Sequence, residues 1–137
     1  MILIDAGPLI ALIDKAQAEL HQNCVSALNE LSGTLITTWP CFTEAMYFAG
    51  ELRGWPGQSA LWQYVEQDEL TIHIPTIDEW KRMRWLMEQY KDTPMDLADS
   101  SLVTLAEIHN LHQIFTIDSD FYVYKIHGAH PFEVIYP

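Results

Sequence analysis

The sequence predicts an α/β fold in which a largely parallel sheet is covered by helices on both faces. Three observations carry that prediction. Short apolar runs of strand length recur along the chain, segments with helical periodicity lie between them, and two of the runs end directly on an aspartate. Strands that alternate with helices imply right-handed crossovers, and a sheet built that way is mainly parallel.

Met1-Ile2-Leu3-Ile4 closes on Asp5 and reads as a buried strand over 2–5. A short helix follows through Leu9-Ile10-Ala11-Leu12-Ile13. A longer one runs from about Glu19 to Leu31, with Leu20, Cys24, Ala27, Leu28 and Leu31 at helical spacing and Ser32-Gly33 as its stop. Leu35-Ile36-Thr37-Thr38 is a second buried strand. Pro40 suits the first turn of a helix that continues to about Leu52, and Gly54 and Pro56 end it. Another helix spans roughly 57–67. Leu70-Thr71-Ile72-His73-Ile74 alternates as a strand does, and Thr76-Ile77-Asp78-Glu79 opens a helix to about Tyr90 with capping-box spacing. Thr93-Pro94-Met95-Asp96 opens the next helix, from Leu97 to about Asn110. The run 113–117 is then a strand that stops at Asp118, and Phe132-Glu133-Val134-Ile135 is a last short one.

A chain of 137 residues fits one domain spanning 1–137, long enough to bury roughly 68% of its unfolded surface around a single core. Hydrophobic residues at 49% and the lack of repeats or low-complexity tracts fit a folded globular protein. No basic leader precedes Asp5, and no apolar run approaches the ~18 residues a membrane span requires, so a cytoplasmic protein with no membrane partner is expected. Cys24 and Cys41 fit no close-spaced metal motif and read as buried thiols.

The topology gathers acids. In a parallel sheet the strands' carboxyl ends share one edge, and ligand sites lie beyond it. Asp5 and Asp118 end strands. Glu44 lies in the first turns of the helix after the second strand, and Asp96 and Asp99 in the first turns of the helix before the 113–117 strand. A crossover helix runs opposite to its strands, so its amino terminus returns to the same edge, and Asp120 follows Asp118 closely. These six of the chain's 19 acids are therefore expected to meet. Some have a purely structural use: Asp96 as the fourth residue of a capping box with Thr93, Glu44 as a favourable charge at a helix amino terminus, Asp118 and Asp120 as turn residues. Asp5 and Asp99 resist such a use better: Asp5 directly follows a strand and precedes Gly7-Pro8, Asp99 is flanked by the apolar Leu97, Ala98 and Leu102, and an unpaired buried carboxylate is costly. Oxygen-only ligation of this kind suits magnesium or manganese.

The net charge of −12 opposes a nucleic-acid partner, since phosphate binding rests on lysine and arginine. Two divalent ions contribute +4 and still leave −8. Four of the seven basic residues, Lys81, Arg82, Arg84 and Lys91, fall within one eleven-residue stretch, of which Lys81, Arg82 and Arg84 are the candidate phosphate contacts. The competing reading is a solvated helix face with Asp78–Arg82 and Arg84–Glu88 pairs.

The segments Ile2-Leu3-Ile4-Asp5-Ala6-Gly7-Pro8-Leu9, Glu44 after a threonine-rich strand, Met95-Asp96-Leu97-Ala98-Asp99-Ser100 and Thr116-Ile117-Asp118-Ser119-Asp120-Phe121 together resemble the PIN-domain ribonucleases, notably the VapC-like toxins of toxin–antitoxin pairs. The resemblance covers nearly the whole chain. It implies a three-layer α/β/α fold with a central, mainly parallel five-stranded sheet, and metal-dependent endonucleolytic cleavage of RNA. It places the family's four acids on Asp5, Glu44, Asp99 and Asp118, with Asp96, Asp120 and Thr116 as accessory residues and Mg²⁺ or Mn²⁺ as cofactor. It further implies a homodimer and a small antitoxin partner. Divalent ions in such a pocket lower the pKa of a bound water towards ~7 and stabilise a leaving oxygen, which leads to 5′-phosphate and 3′-hydroxyl products.

Two other classes fit less well. A magnesium-binding phosphoacceptor receiver domain requires an aspartate on a central strand, and 35–38 has none; a PIN-like binding module without activity does not explain why all four acids are present. His109 and His112 at i,i+3 read as a capped or solvated pair remote from the acids, and His21, His73, His127 and His130 show no partner pattern. The five tryptophans, with Tyr47, Phe48, Met83, Met87 and Tyr90, read mainly as core, and Cys41 as packing beside Glu44.

Overall fold

Strands β1 (Ile2–Ile4), β2 (Leu35–Thr38), β3 (Leu70–His73), β4 (Gln113–Phe115) and β7 (Glu133–Ile135) form one sheet in the order β3-β2-β1-β4-β7. Every pairing is parallel. The computed structural model describes all residues from Met1 to Pro137. Helices α1 (Ala6–Ile13), α2 (Ala18–Glu30), α3 (Trp39–Glu66), α4 (Ile77–Gln89) and α5 (Leu97–His109) supply the crossovers. No helix is long and apolar enough to cross a membrane.

The two faces of the sheet follow from the period of two along each strand. Ile2, Ile4, Leu35 and Phe115 point into a cluster with Leu9, Leu12, Phe42 and Leu61 of α1 and α3. Leu3, Ile36 and Ile114, one residue out of phase, point into a second cluster with Leu86 of α4 and Leu102, Val103 and Ala106 of α5. Leu3 pairs in register with both Ile36 and Ile114, so both layers are specified across the three central strands. A one-residue slip would exchange them.

The structure sharpens several boundaries. The first strand stops at Ile4 and the fourth at Phe115, because Asp5 and Thr116 turn into the site at the carboxyl edge. The helices expected to end near Leu52 and to start near 57 are the two limbs of α3, separated by a bend at Gly54, whose backbone is not helical. Gly54 has φ +62° and ψ −153°, a region open essentially to glycine, and the bend lets Pro56 occupy a first-turn position where no amide donor is needed. Gly54→Ala is expected to lower stability by about 1–3 kcal/mol, read as a shift in urea midpoint at unchanged m-value. Asp96 is itself the cap of α5, its Oδ1 accepting the Asp99 amide at 2.8 Å, so the expected Thr93 capping box does not form. A 3₁₀ turn at Ser119–Tyr122 and a small antiparallel pair, β5 (Lys125–Ile126) and β6 (His130–Pro131), add to the expected elements.

The tryptophans are not core: Trp39, Trp55, Trp62, Trp80 and Trp85 are all exposed, as are Tyr47 and Phe48. Phenylalanines and aliphatic residues fill the interior instead, with Phe42, Phe115 and Phe121 enclosed. Cys24 and Cys41 are buried free thiols, as expected.

Candidate metal centre

Asp5, Asp99 and Asp118 meet at the carboxyl edge of β1 and β4, one oxygen of each lying within 4.8 Å of the others. Asp5 leaves β1 directly and caps α1, its Oδ1 accepting the Ala6 amide at 2.7 Å. Its Oδ2 accepts the Thr116 hydroxyl at 3.0 Å, and the same Thr116 oxygen accepts the Asp118 amide at 3.0 Å. One enclosed hydroxyl thus ties two of the three acids. Asp118 accepts the Asp120 amide at 2.9 Å and so caps the 3₁₀ turn. Asp99 sits in the first turn of α5, where the Asp96 cap fixes its amide and the Tyr124 hydroxyl donates to its Oδ2 at 3.0 Å.

Electrostatics set these acids apart from ordinary surface carboxylates. Asp5 is 8% exposed and Asp99 6%, and each lacks a lysine or arginine partner, the salt bridges of the chain lying elsewhere. Burial pushes the Asp5 carboxyl up, with Asp118 and Asp96 adding to the rise against the hydrogen bonds from Ala6 and Thr116. Burial and the charge of Asp96 raise Asp99 to about 7, with Asp5 and Asp118 contributing and the Tyr124 hydrogen bond opposing. Partial burial, then the neighbouring acids, raise Asp118 and Glu44. Burial and the Asp99 charge push the Tyr124 hydroxyl up in turn, so it stays a donor. A group of acids that resist ionising together because no positive charge faces them is suited to a hard divalent cation, and the donor set is oxygen only.

Glu44 faces the same cluster from α3 but stands on the solvent side, outside the 4.8 Å group. It lines, with Asp96, a cleft of about 620 Å³ walled by Trp39, Pro40, Tyr47, Leu97 and Ala98. Asp96 and Asp120 stand around the cluster, one as the cap of α5 and the other as the turn amide on Asp118. Cys41 touches Asp5 rather than Glu44, its Sγ 3.9 Å from Oδ1, and burial pushes its thiol far up, which makes it an inert wall.

The basic residues lie apart from the acids. Arg82 makes a bidentate pair with Glu107 at 2.8 and 3.0 Å and lies over the Trp85 ring at 4.4 Å, so the expected Asp78–Arg82 pair gives way to a bond across α4 and α5. Lys81 and Arg84 are exposed on α4. His112 bonds to Asn110, whereas His73, which had no partner pattern in the sequence, contacts Glu79 at 2.9 Å and stacks edge-on with His109. The residue that sequence reasoning missed at the site is Tyr124, because nothing in the spacing of residues 99 and 124 announces their contact.

No family model and no curated protein matches the sequence. Solved structures match in shape. VapC20 of Mycobacterium tuberculosis, a sarcin-ricin loop cleaving toxin, superposes with a TM-score of 0.83 at 12% identity, over 96% of this chain and 100% of that one. A toxin–antitoxin complex from Klebsiella pneumoniae gives 0.66 at 20% identity over 88% and 90%, and VapBC2 from Rickettsia felis, bound to a promoter DNA fragment, 0.67 at 14% over 99% and 98%. Identities this low establish architecture, and on that ground the chain has the PIN-like fold of the VapC toxins.

Proposed function

We propose that this protein is a metal-dependent endoribonuclease, hydrolysing RNA phosphodiester bonds as the toxin of a toxin–antitoxin pair. The observation that carries the reading is the convergence of Asp5, Asp99 and Asp118 without any basic counter-charge, in a fold shared with a sarcin-ricin loop cleaving toxin. Asp5, Asp99 and Asp118 would hold a Mg²⁺ or Mn²⁺ ion, with Glu44 reaching in from α3. A divalent cation there supplies Lewis-acid polarisation of a phosphoryl oxygen and an acidified water. Thr116 keeps Asp5 and Asp118 in fixed orientation, and Asp96 and Asp120 add negative charge around them without entering the tight group.

Arg82 is held by Glu107, which leaves Lys81 and Arg84 as the candidate phosphate contacts on α4. In a chain of net charge −12, the exposed rings of Trp39 and Tyr47 beside Glu44 offer a stacking route for single-stranded bases that does not depend on cations. The neighbours that are toxin–antitoxin complexes support an antitoxin as protein partner, and a homodimer would give the exposed apolar side chains Phe48, Leu52 and Trp55 of α3 a surface to cover them.

The test is cleavage of defined RNAs by the purified protein with Mg²⁺ or Mn²⁺, with chelator, and by Asp5→Asn. Cleavage only with metal, lost in the variant and leaving 5′-phosphate ends, is the expected result. Cutting that persists in chelator or in the variant would sink the reading.

A further inference from the structure

Tyr124 is 0% exposed, and the one hydrogen bond its hydroxyl makes goes to a carboxylate, Oδ2 of Asp99, at 3.0 Å. Its ring is fixed on two sides: Phe121 lies edge-on at 5.1 Å and Tyr90 edge-on at 5.2 Å. The Tyr90 hydroxyl accepts the Lys125 amide at 3.1 Å, which pins the backbone immediately after Tyr124. On the other side, Asp118 caps the 3₁₀ turn through the Asp120 amide, and the Asp120 carbonyl accepts the Tyr124 amide at 3.1 Å. The segment 118–124 therefore begins with one acid of the group and ends on the clamp of another.

From this geometry we infer that Tyr124 is a positioning residue for the metal centre: its hydroxyl holds Oδ2 of Asp99, stops rotation of the carboxylate, and so fixes the acid that would hold a cation together with Asp5 and Asp118. The inference rests on the metal-site reading of the proposed function. Its physical basis is the loss of rotational freedom. A buried carboxylate repelled by its neighbours turns away from them unless a donor fixes it, and partners of this kind behind metal ligands raise affinity by restricting the ligand before the ion arrives. Asp5 has the equivalent restraint in the Thr116 hydroxyl, and Asp118 is held by its own amide on Thr116 and by the Asp120 amide on its carboxylate. Tyr124 completes the set for the third acid.

The test uses the full chain with Mn²⁺ as probe, followed by calorimetry. Tyr124→Phe keeps the ring and its aromatic contacts and removes only the hydroxyl. Its Mn²⁺ Kd is expected to rise about 10–100-fold, with KM for RNA unchanged and kcat reduced. Tyr64→Phe removes a hydroxyl from a half-buried tyrosine that packs on the opposite core cluster and touches none of the three acids, and its Mn²⁺ affinity is expected to equal wild type. An unchanged Kd in Tyr124→Phe, or an equal rise in Tyr64→Phe, would overturn the inference while wild-type binding of Mn²⁺ still upholds the metal site. Failure of the wild type to bind Mn²⁺ overturns both. A measurement on the unaltered protein is independent of any folding defect: the enclosed Tyr124 hydroxyl proton, observed by NMR, is expected to persist when Mg²⁺ is added. Its disappearance would show that Oδ2 abandons the tyrosine for the ion, and would overturn the positioning role.

Discussion

Replacing Asp99 with asparagine is expected to cost RNA cleavage on the order of 10²–10³-fold while making the metal-free protein more stable at pH 8. The two effects share one cause. Asp99 is 6% exposed, has no cationic partner, and faces Asp5, Asp96 and Asp118. Without metal its ionised form is opposed by burial and by like charge, and asparagine of the same shape removes that penalty while still accepting the Tyr124 hydroxyl. With metal the same negative charge is what binds the ion, and the amide is a poor substitute. The gain in chelator at pH 8 should be on the order of 2 kcal/mol, and the variant and wild type should converge only at about pH 3.5, where Asp99 is protonated in the folded and the unfolded chain alike. Urea denaturation in chelator at both pH values, beside cleavage rates in Mg²⁺, checks the pair of effects. A variant less stable than wild type at pH 8 would mean that the buried charge of Asp99 is compensated in the metal-free protein.

Metal and pH should act on wild-type stability in opposite senses. Asp5, Asp99, Asp118 and Glu44 all have folded-state pKa values raised above their ordinary ones, so the native state binds protons more tightly than the unfolded chain. Their contribution is fully present below about 4, where both states are protonated, and is lost as pH rises towards the Asp99 value of about 7. Metal-free protein is therefore expected to melt at a lower temperature at pH 8 than at pH 5. On the metal-site reading a divalent cation is expected to bind the folded state alone and, at 100 times its Kd, to return about 2.7 kcal/mol, most visibly at pH 8 where the acids are free of protons. Thermal melts across pH 5–8 with chelator and with Mn²⁺ would show the two curves diverging upwards in pH. Parallel curves would mean that the ion does not sit on the carboxylates.

The parallel sheet and the convergence of its acids were legible because both follow from strict regularities. Apolar runs of three to five residues specify strands, alternation with helices sets their direction, and direction places Asp5, Asp99 and Asp118 on one edge. What lay beyond reach was set by contacts without period. The 3₁₀ turn and the two-residue strands β5 and β6 are too short to leave a pattern, yet they carry Tyr124 to Asp99. Arg82 satisfied a local helix-pair rule with Asp78 but found a better-shaped bidentate partner in Glu107, 25 residues away. Topology brings Glu44 to the acidic edge, although only side-chain positions separate it from the tight group of three. The tryptophans depart from the expected core because aromatic character does not itself specify burial: Phe42, Phe115, Phe121, Tyr124 and aliphatic side chains fill the interior, and the indoles stand at its margin.

That exterior placement governs how the molecule will behave in an optical experiment. All five indoles are partly in contact with water, and three of them, Trp39, Trp55 and Trp62, belong to α3. Anything that settles against α3, whether a nucleotide strand or another polypeptide, dehydrates one or more of these rings and alters the light they give. Fluorescence from this chain is therefore a gauge of encounters as well as of unfolding.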